Sequence, residues 1–161
     1  MHRPSAHRLI QLVTVAIWLA GCTATAHRAV AAKPEFLNSK QSLESGFPFS
    51  EAVRAGDLLF LAGQIGDDAV KGGVVPGGIV AEARQALTHI KSVLERNGSS
   101  LADVVKCTVF LADVAEWGAF NNVYKEFFAQ PYPARSALGA NGLAMGARVE
   151  VECIAYAPLA K

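Results

Sequence analysis

Arg135, directly after Pro133-Ala134, and Glu150, beyond a glycine-rich connection, are the residues of this chain whose chemistry combines most simply. An arginine fork binds a carboxylate in bidentate fashion and fixes the orientation of a small acid. A glutamate nearby can hold and polarise a water. Together they suit hydrolysis of a C=N bond next to a carboxylate. An isolated Arg–Glu pair is more often structural, so the pair alone does not make a site. Other chemistries find less support. No glycine-rich phosphate loop with a following lysine is present. No Ser/His/Asp set can be assembled, because His89 is the only histidine in the part expected to fold. A histidine-rich metal site would have only His27 and His89 to draw on once the leader is removed.

The elements that must position Arg135 and Glu150 follow from apolar periodicity. Residues 50–54 and the run 58–62 flank an Ala55-Gly56-Asp57 turn and read as a β-hairpin. A glycine-rich loop covers 63–78. A long helix is expected from about Ile79 to Arg96, with Val80, Ala83, Leu87, Ile90 and Leu94 on one apolar face. Glu82, Gln85 and His89 fall on another face, which makes His89 a solvated helix residue. Val104 to Leu111 reads as a buried strand. Asp113 and Glu116 have the spacing of a capping box opening a second helix, whose stripe is Trp117, Phe120, Tyr124 and Phe127. That stripe reads as core. Pro131 ends the helix. Strands near 135–138 and 148–156 complete the order ββαβαββ: an α+β fold, one sheet with two helices on one face. In the last strand Arg148, Glu150 and Glu152 alternate with Val149, Val151 and Cys153. The face away from the helices therefore mixes charges with Ile154 and Tyr156, as a wet surface or a subunit interface with a polar cleft would.

The chain has 161 residues, 52% of them hydrophobic and 18% charged, which excludes disorder as a description of the whole. Residues 1–21 read as an export signal: His2, Arg3, His7 and Arg8 precede an apolar stretch from Leu9 to Leu19, too short for an untilted membrane span. The run ends in Leu19-Ala20-Gly21-Cys22, which resembles the lipobox of bacterial lipoproteins. That resemblance implies cleavage before Cys22, a lipid on its thiol, and a stable tether on the periplasmic side, by default at the outer membrane. The other reading is an ordinary secretory signal. Residues 22–46 lack a sustained period and are expected to be a flexible tether, with the domain at 47–161. Of 15 basic residues Arg3 and Arg8 lie in the signal, which leaves 13 against 14 acidic ones. That balance does not favour a nucleic-acid partner. Cys107 and Cys153 could pair in an oxidising compartment, but each sits in an apolar strand-like run where a free cysteine acts as a small hydrophobe. The free form is the expectation.

From Phe47 to Ala157 the chain resembles the Rid family of YjgF-type reactive-intermediate deaminases. The resemblance rests on Ala55-Gly56-Asp57 leading to Leu61-Ala62-Gly63-Gln64, on Arg84-Gln85-Ala86-Leu87, and on Lys106-Cys107-Thr108-Val109-Phe110-Leu111. It continues through Asn121-Asn122-Val123-Tyr124, Pro133-Ala134-Arg135-Ser136 and Val149-Glu150-Val151-Glu152-Cys153-Ile154-Ala155. It implies a chorismate-mutase-like α+β fold and a homotrimer with ligand clefts between subunits. It also implies hydrolysis of small carboxylated enamines or imines, of the 2-aminoacrylate type, to 2-keto acids and ammonia without metal or organic cofactor. Arg135 matches the arginine that clamps the substrate carboxylate, and Glu150 the glutamate that positions the attacking water. Gly63 matches a glycine lining the cleft, and Asn121 an asparagine near its rim.

Three positions depart from that pattern. Phe49 stands where the best-known deaminases carry tyrosine, Ala62 where they carry serine, and Ala137 where they carry cysteine. Each change deletes a hydroxyl or thiol from a position expected to line the substrate. Two functions therefore compete: a lipid-anchored deaminase, and a non-catalytic trimeric module that binds small carboxylates.

Overall fold

The computed structural model describes residues 33–68 and 70–159. Residues 1–21 and Cys22, read above as signal and lipid site, lie outside the described residues. The elements are β1 (Glu35–Leu37), α1 (Lys40–Ser45), β2 (Ala52–Ala55), β3 (Leu58–Leu61), β4 (Gln64–Ile65), α2 (Gly78–Arg96), β5 (Val104–Leu111), α3 (Trp117–Phe127), β6 (Ala134–Gly139) and β7 (Val149–Tyr156). The sheet runs β1-β2-β3-β7-β5-β6, with β4 pairing beside β3 on β7. Only the β5–β6 pair is parallel, as the crossover through α3 requires.

The strict alternation of β7 divides the molecule. Val149, Val151, Cys153 and Ala155 are at most 2% exposed and join Val109, Leu111, Leu87, Ile90, Phe120 and Val123 in one core under α2 and α3. The expected helix-covered face is there. The other face carries Leu58, Phe60, Leu138 and Tyr156, each between 38% and 48% exposed, and Glu150 among them. So many large apolar groups on one face exceed what scattered surface residues explain.

Five expectations need correction. The tether does not reach Gly46: Phe36 and its neighbours pair with β2, and Ser39 caps α1 by accepting a hydrogen bond from Ser42 N at 3.1 Å. Such short elements carry no period of their own and are held by docking; Asn38 accepts from Glu51 N and Ser39 N donates to the Glu51 carboxylate. The expected face of α2 is buried at Ala83, Leu87, Ile90 and Leu94, but Val80 is 42% exposed and Glu82 is buried beside that face instead. Glu82 accepts from Arg148 N at 2.7 Å, fixing the start of β7. Arg148 also grips Glu116 at 2.6 Å, and this hydrogen-bonded charge pair pushes its guanidinium pKa further up. Asp113 does cap the turn before α3, but Glu116 therefore serves β7 rather than a capping box. His89 is half-buried, not merely solvated: Gln85 Nε2 donates to its Nε2 at 2.8 Å, leaving Nδ1–H to donate to Ile65 O at 3.1 Å, with Asp67 at 3.4 Å. The histidine pins the glycine-rich loop to α2.

The fifth correction concerns the cysteines. Cys107 and Cys153 are directly opposed on β5 and β7, both facing the core, and form a disulfide. Apolar flanks say only that each is buried; the register that makes them neighbours is a long-range fact. With its ends 46 positions apart, the crosslink removes loop entropy worth about 4 kcal/mol from the unfolded chain. The isolated protein should show no titratable thiol from this pair in denaturant until reduced. Cys107→Ala/Cys153→Ala should lose about 2–4 kcal/mol in urea unfolding. A free thiol pair in the untreated denatured protein would refute the assignment.

Candidate active site

Arg135 is the second residue of β6, an edge strand, and pairs in register with Cys107. It therefore points to the helix side, where α3 receives it. Asn121 Oδ1 accepts from Arg135 Nη2 at 2.7 Å. The guanidinium carbon lies 4.7 Å from the Tyr124 ring centroid and 5.7 Å from that of Phe120. Asn121 and Tyr124 are three residues apart and so share one helical face. One grips the fork by a hydrogen bond and the other supports its flat side; a partly desolvated cation–π contact of this kind contributes about 0.5–2 kcal/mol. No carboxylate pairs with Arg135 among the described residues. Its charge is held in place but not neutralised.

Beside it opens a cavity of about 330 Å³ lined by Asn121, Tyr124, Lys125, Tyr132, Pro133 and Arg135. The Tyr124 hydroxyl is buried and lacks a hydrogen-bond partner among the described residues. Burial pushes its pKa up to about 12 from an ordinary 10.0, against the opposing pull of the Arg135 charge. The phenol thus stays neutral beside the guanidinium. Reading the stripe of α3 as core missed this role for Tyr124, and it missed Lys125 and Tyr132 altogether. The spacing to Asn121 was the available signal: Tyr124 and Lys125 follow it by three and four residues.

Glu150 is not in this cavity. It lies opposite Phe110 and Ile65 on the outward face of the sheet, whereas Arg135 belongs to the helix-covered face. Gly63, in the corner between β3 and β4, lies against it: a Cβ added there would overlap Glu150 Oε1. Ala62 N donates to Glu51 O at 2.9 Å, which brings the segment carrying Phe49 to the same corner. Phe49 itself is 55% exposed and stacks on Phe47 with centroids 5.3 Å apart. Ala137 follows Arg135 on the helix side and packs on the core opposite Val109. The expected site residues thus form two clusters in one chain: Arg135, Asn121 and Ala137 on one side, and Gly63, Ala62, Phe49 and Glu150 at the other. Among the described residues no group of three or more His, Cys, Asp or Glu is placed to hold a metal ion.

A small mixed sheet with two helices on one face, an edge arginine fixed over an aromatic ring and an outward glutamate against a glycine define a single-sheet α+β fold with an unneutralised arginine at one edge. A family profile described as Endoribonuclease L-PSP matches residues 39–157. The chain belongs to this family, which is the YjgF/Rid family. It is 45% identical over 108 residues to a 2-iminobutanoate/2-iminopropanoate deaminase of Capra hircus, covering 67% of this chain and 79% of the relative. A crystal structure of a putative endoribonuclease L-PSP from Entamoeba histolytica superposes with a TM-score of 0.71 at 39% identity, covering 77% of this chain and 99% of that one. A crystal structure of RidA from an Antarctic Psychrobacter gives 0.66 at 32% identity, over 80% and 99%.

Two outcomes test the geometry. Gly63→Ala should fold, because the overlapping atom is the end of a flexible side chain, yet displace the Glu150 carboxylate. If Glu150 positions the attacking water, turnover should fall by about tenfold or more with little change in melting temperature, since misplacing a reacting group by an ångström is that costly. For Tyr124, the folded state keeps a proton that the unfolded chain gives up between pH 10 and about 12. Its contribution is fully present below pH 10 and declines as pH rises through that window. Tyr124→Phe should flatten the alkaline decline in unfolding free energy; an unchanged slope would place the titration elsewhere.

Proposed function

We propose that this chain is an enzyme that hydrolyses small carboxylated imines and enamines, of the 2-aminoacrylate type, to 2-keto acids and ammonia. The observation that carries the proposal is Arg135: a fork fixed by Asn121 and Tyr124, facing a cavity with no acidic residue among its described lining. The relatives named as imine deaminases, 39–45% identical over about two thirds of the chain, support the same reaction class. In the proposed reaction the imine tautomer binds with its carboxylate on Arg135. Water, held by Glu150, adds to the C=N carbon; the new C–O bond forms, the C–N bond then breaks, and nitrogen leaves with its protons as ammonia. No electrons change hands.

This reaction needs Arg135 and Glu150 near one another, and one chain holds them on opposite faces. We therefore propose a homotrimer in which the edge strand of one copy lies over the open face of the next. The exposed apolar groups of that face favour such a contact. Export fits the same picture: the Cys107–Cys153 disulfide belongs in an oxidising compartment, and Cys22 is the proposed lipid site. Palmitate labelling should disappear in Cys22→Ser; labelling equal to that of the wild type would remove the anchor.

The test is ammonia release from freshly generated imines, paired with calorimetry of a keto acid. Arg135→Ala should weaken keto-acid binding by about ten- to a hundredfold, as loss of a charge-assisted bidentate contact does, and Arg135→Lys should also be impaired. Glu150→Gln should keep much of the binding and lose turnover. Inactive Arg135→Ala and Glu150→Gln chains, unfolded and refolded together at equal amounts, should recover about a quarter of wild-type turnover, because random neighbours reunite intact halves that often. Recovery of none, with mixed trimers formed, would refute the shared site. Binding without turnover in the wild type would favour the non-catalytic module, which the losses at Phe49, Ala62 and Ala137 make the specific rival.

A further inference from the structure

The cavity beside Arg135 holds a second cation, Lys125. It sits four residues after Asn121 on α3, so the two side chains project from the same face one turn apart, about 5–6 Å between Cβ atoms. Asn121 is the residue that grips the Arg135 fork. Lys125 makes no ion pair among the described residues; the adjacent Glu126 is taken by Arg84 at 2.7 Å. The cavity therefore presents two positive groups and, among its described lining residues, no acidic one. A substrate with a single carboxylate would neutralise the fork and leave the Lys125 ammonium at the cavity without a counter-charge. Size points the same way. The volume of about 330 Å³ corresponds to roughly eleven waters at ~30 Å³ each, ample for more than a three-carbon acid. The end carbons of an extended five-carbon diacid lie about 5 Å apart at ~1.5 Å per bond, comparable to one helical turn.

We propose that this site prefers imines of dicarboxylic amino acids, with the α-carboxylate on Arg135 and the distal carboxylate on Lys125. The inference rests on the imine-hydrolysis reading and narrows its substrate class; the covalent exchange is unchanged. The plain alternative is that Lys125, in the last turn of α3, serves only the helix dipole and solvent.

The probes are 2-oxoglutarate and 2-oxopentanoate, equal in carbon number and different only in the distal carboxylate. Calorimetry on the full chain should show the diacid binding about three- to tenfold more tightly, the range of a partly exposed ion pair. The preference should shrink in 1 M salt, which screens exposed charges. Lys125→Gln should bring the ratio near one and Lys125→Glu should invert it. Ammonia release from the imines of glutamate and of norvaline should follow the same ratio in kcat/KM. Equal affinity for the two acids, or a preference that survives in Lys125→Glu, overturns the dicarboxylate proposal while leaving imine hydrolysis standing. Failure of both acids to bind, with no ammonia from either imine, overturns both.

Discussion

The antiparallel seating of β7 between β3 and β5 is the constraint on which the rest depends. A strand pointing alternate side chains to opposite faces cannot place Val149 and Val151 under the helices without turning Glu150 away from them. The register is fixed at the start and at the centre of the strand. Glu82 and Glu116 tie Arg148 just before the strand, and the Cys107–Cys153 crosslink ties its centre to β5. A one-residue slip would bury Glu150 and expose the valines, and would separate the cysteines. The same alternation carried through β5 into β6 decides that Arg135, paired with Cys107, meets α3.

The two clusters differ in how their charge is managed. Arg135 is matched by a neutral oxygen and aromatic faces, which orient it without cancelling its charge. A carboxylate partner in the same place would hold it equally well and would compete with an acidic ligand. Tyr124 suits the position because its raised pKa keeps it from becoming such a competitor. Glu150 is given room rather than partners: Gly63 leaves out the Cβ that would displace its carboxylate.

Periodicity made much of this legible. The α2 and α3 helices, the buried β5 and the alternation of β7 are long enough for apolar spacing to locate them. What it could not reach depends on partners distant in sequence. β1 and α1 are too short for a period and are held by Glu51 and β2. Glu82 looked polar because its only reason for burial, the amide of Arg148, is 66 residues away. The cysteine pair needed the β5–β7 register. Arg135 and Asn121 line one cavity, while Glu150, which the family resemblance matched to the same cleft, lies on the opposite face of the chain. A linear motif carries no information on which copy of a chain supplies each of its residues.

That separation links assembly to chemistry. On an open sheet face Glu150 stands in a high-dielectric setting, where a carboxylate polarises water weakly and bulk solvent competes for every hydrogen bond. Covered by a second copy, the same carboxylate would act on a single water in a site of lower dielectric, where fixed charges have more effect on a developing transition state. The apolar groups on the same sheet face, Phe60, Leu138 and Tyr156, would then stabilise the contact and help to exclude solvent from it. In the proposed trimer, a chain that concealed those groups by itself would leave no place for a neighbouring arginine. The exposed face would then be one half of a shared site, and its hydrophobicity is what a second copy would cover.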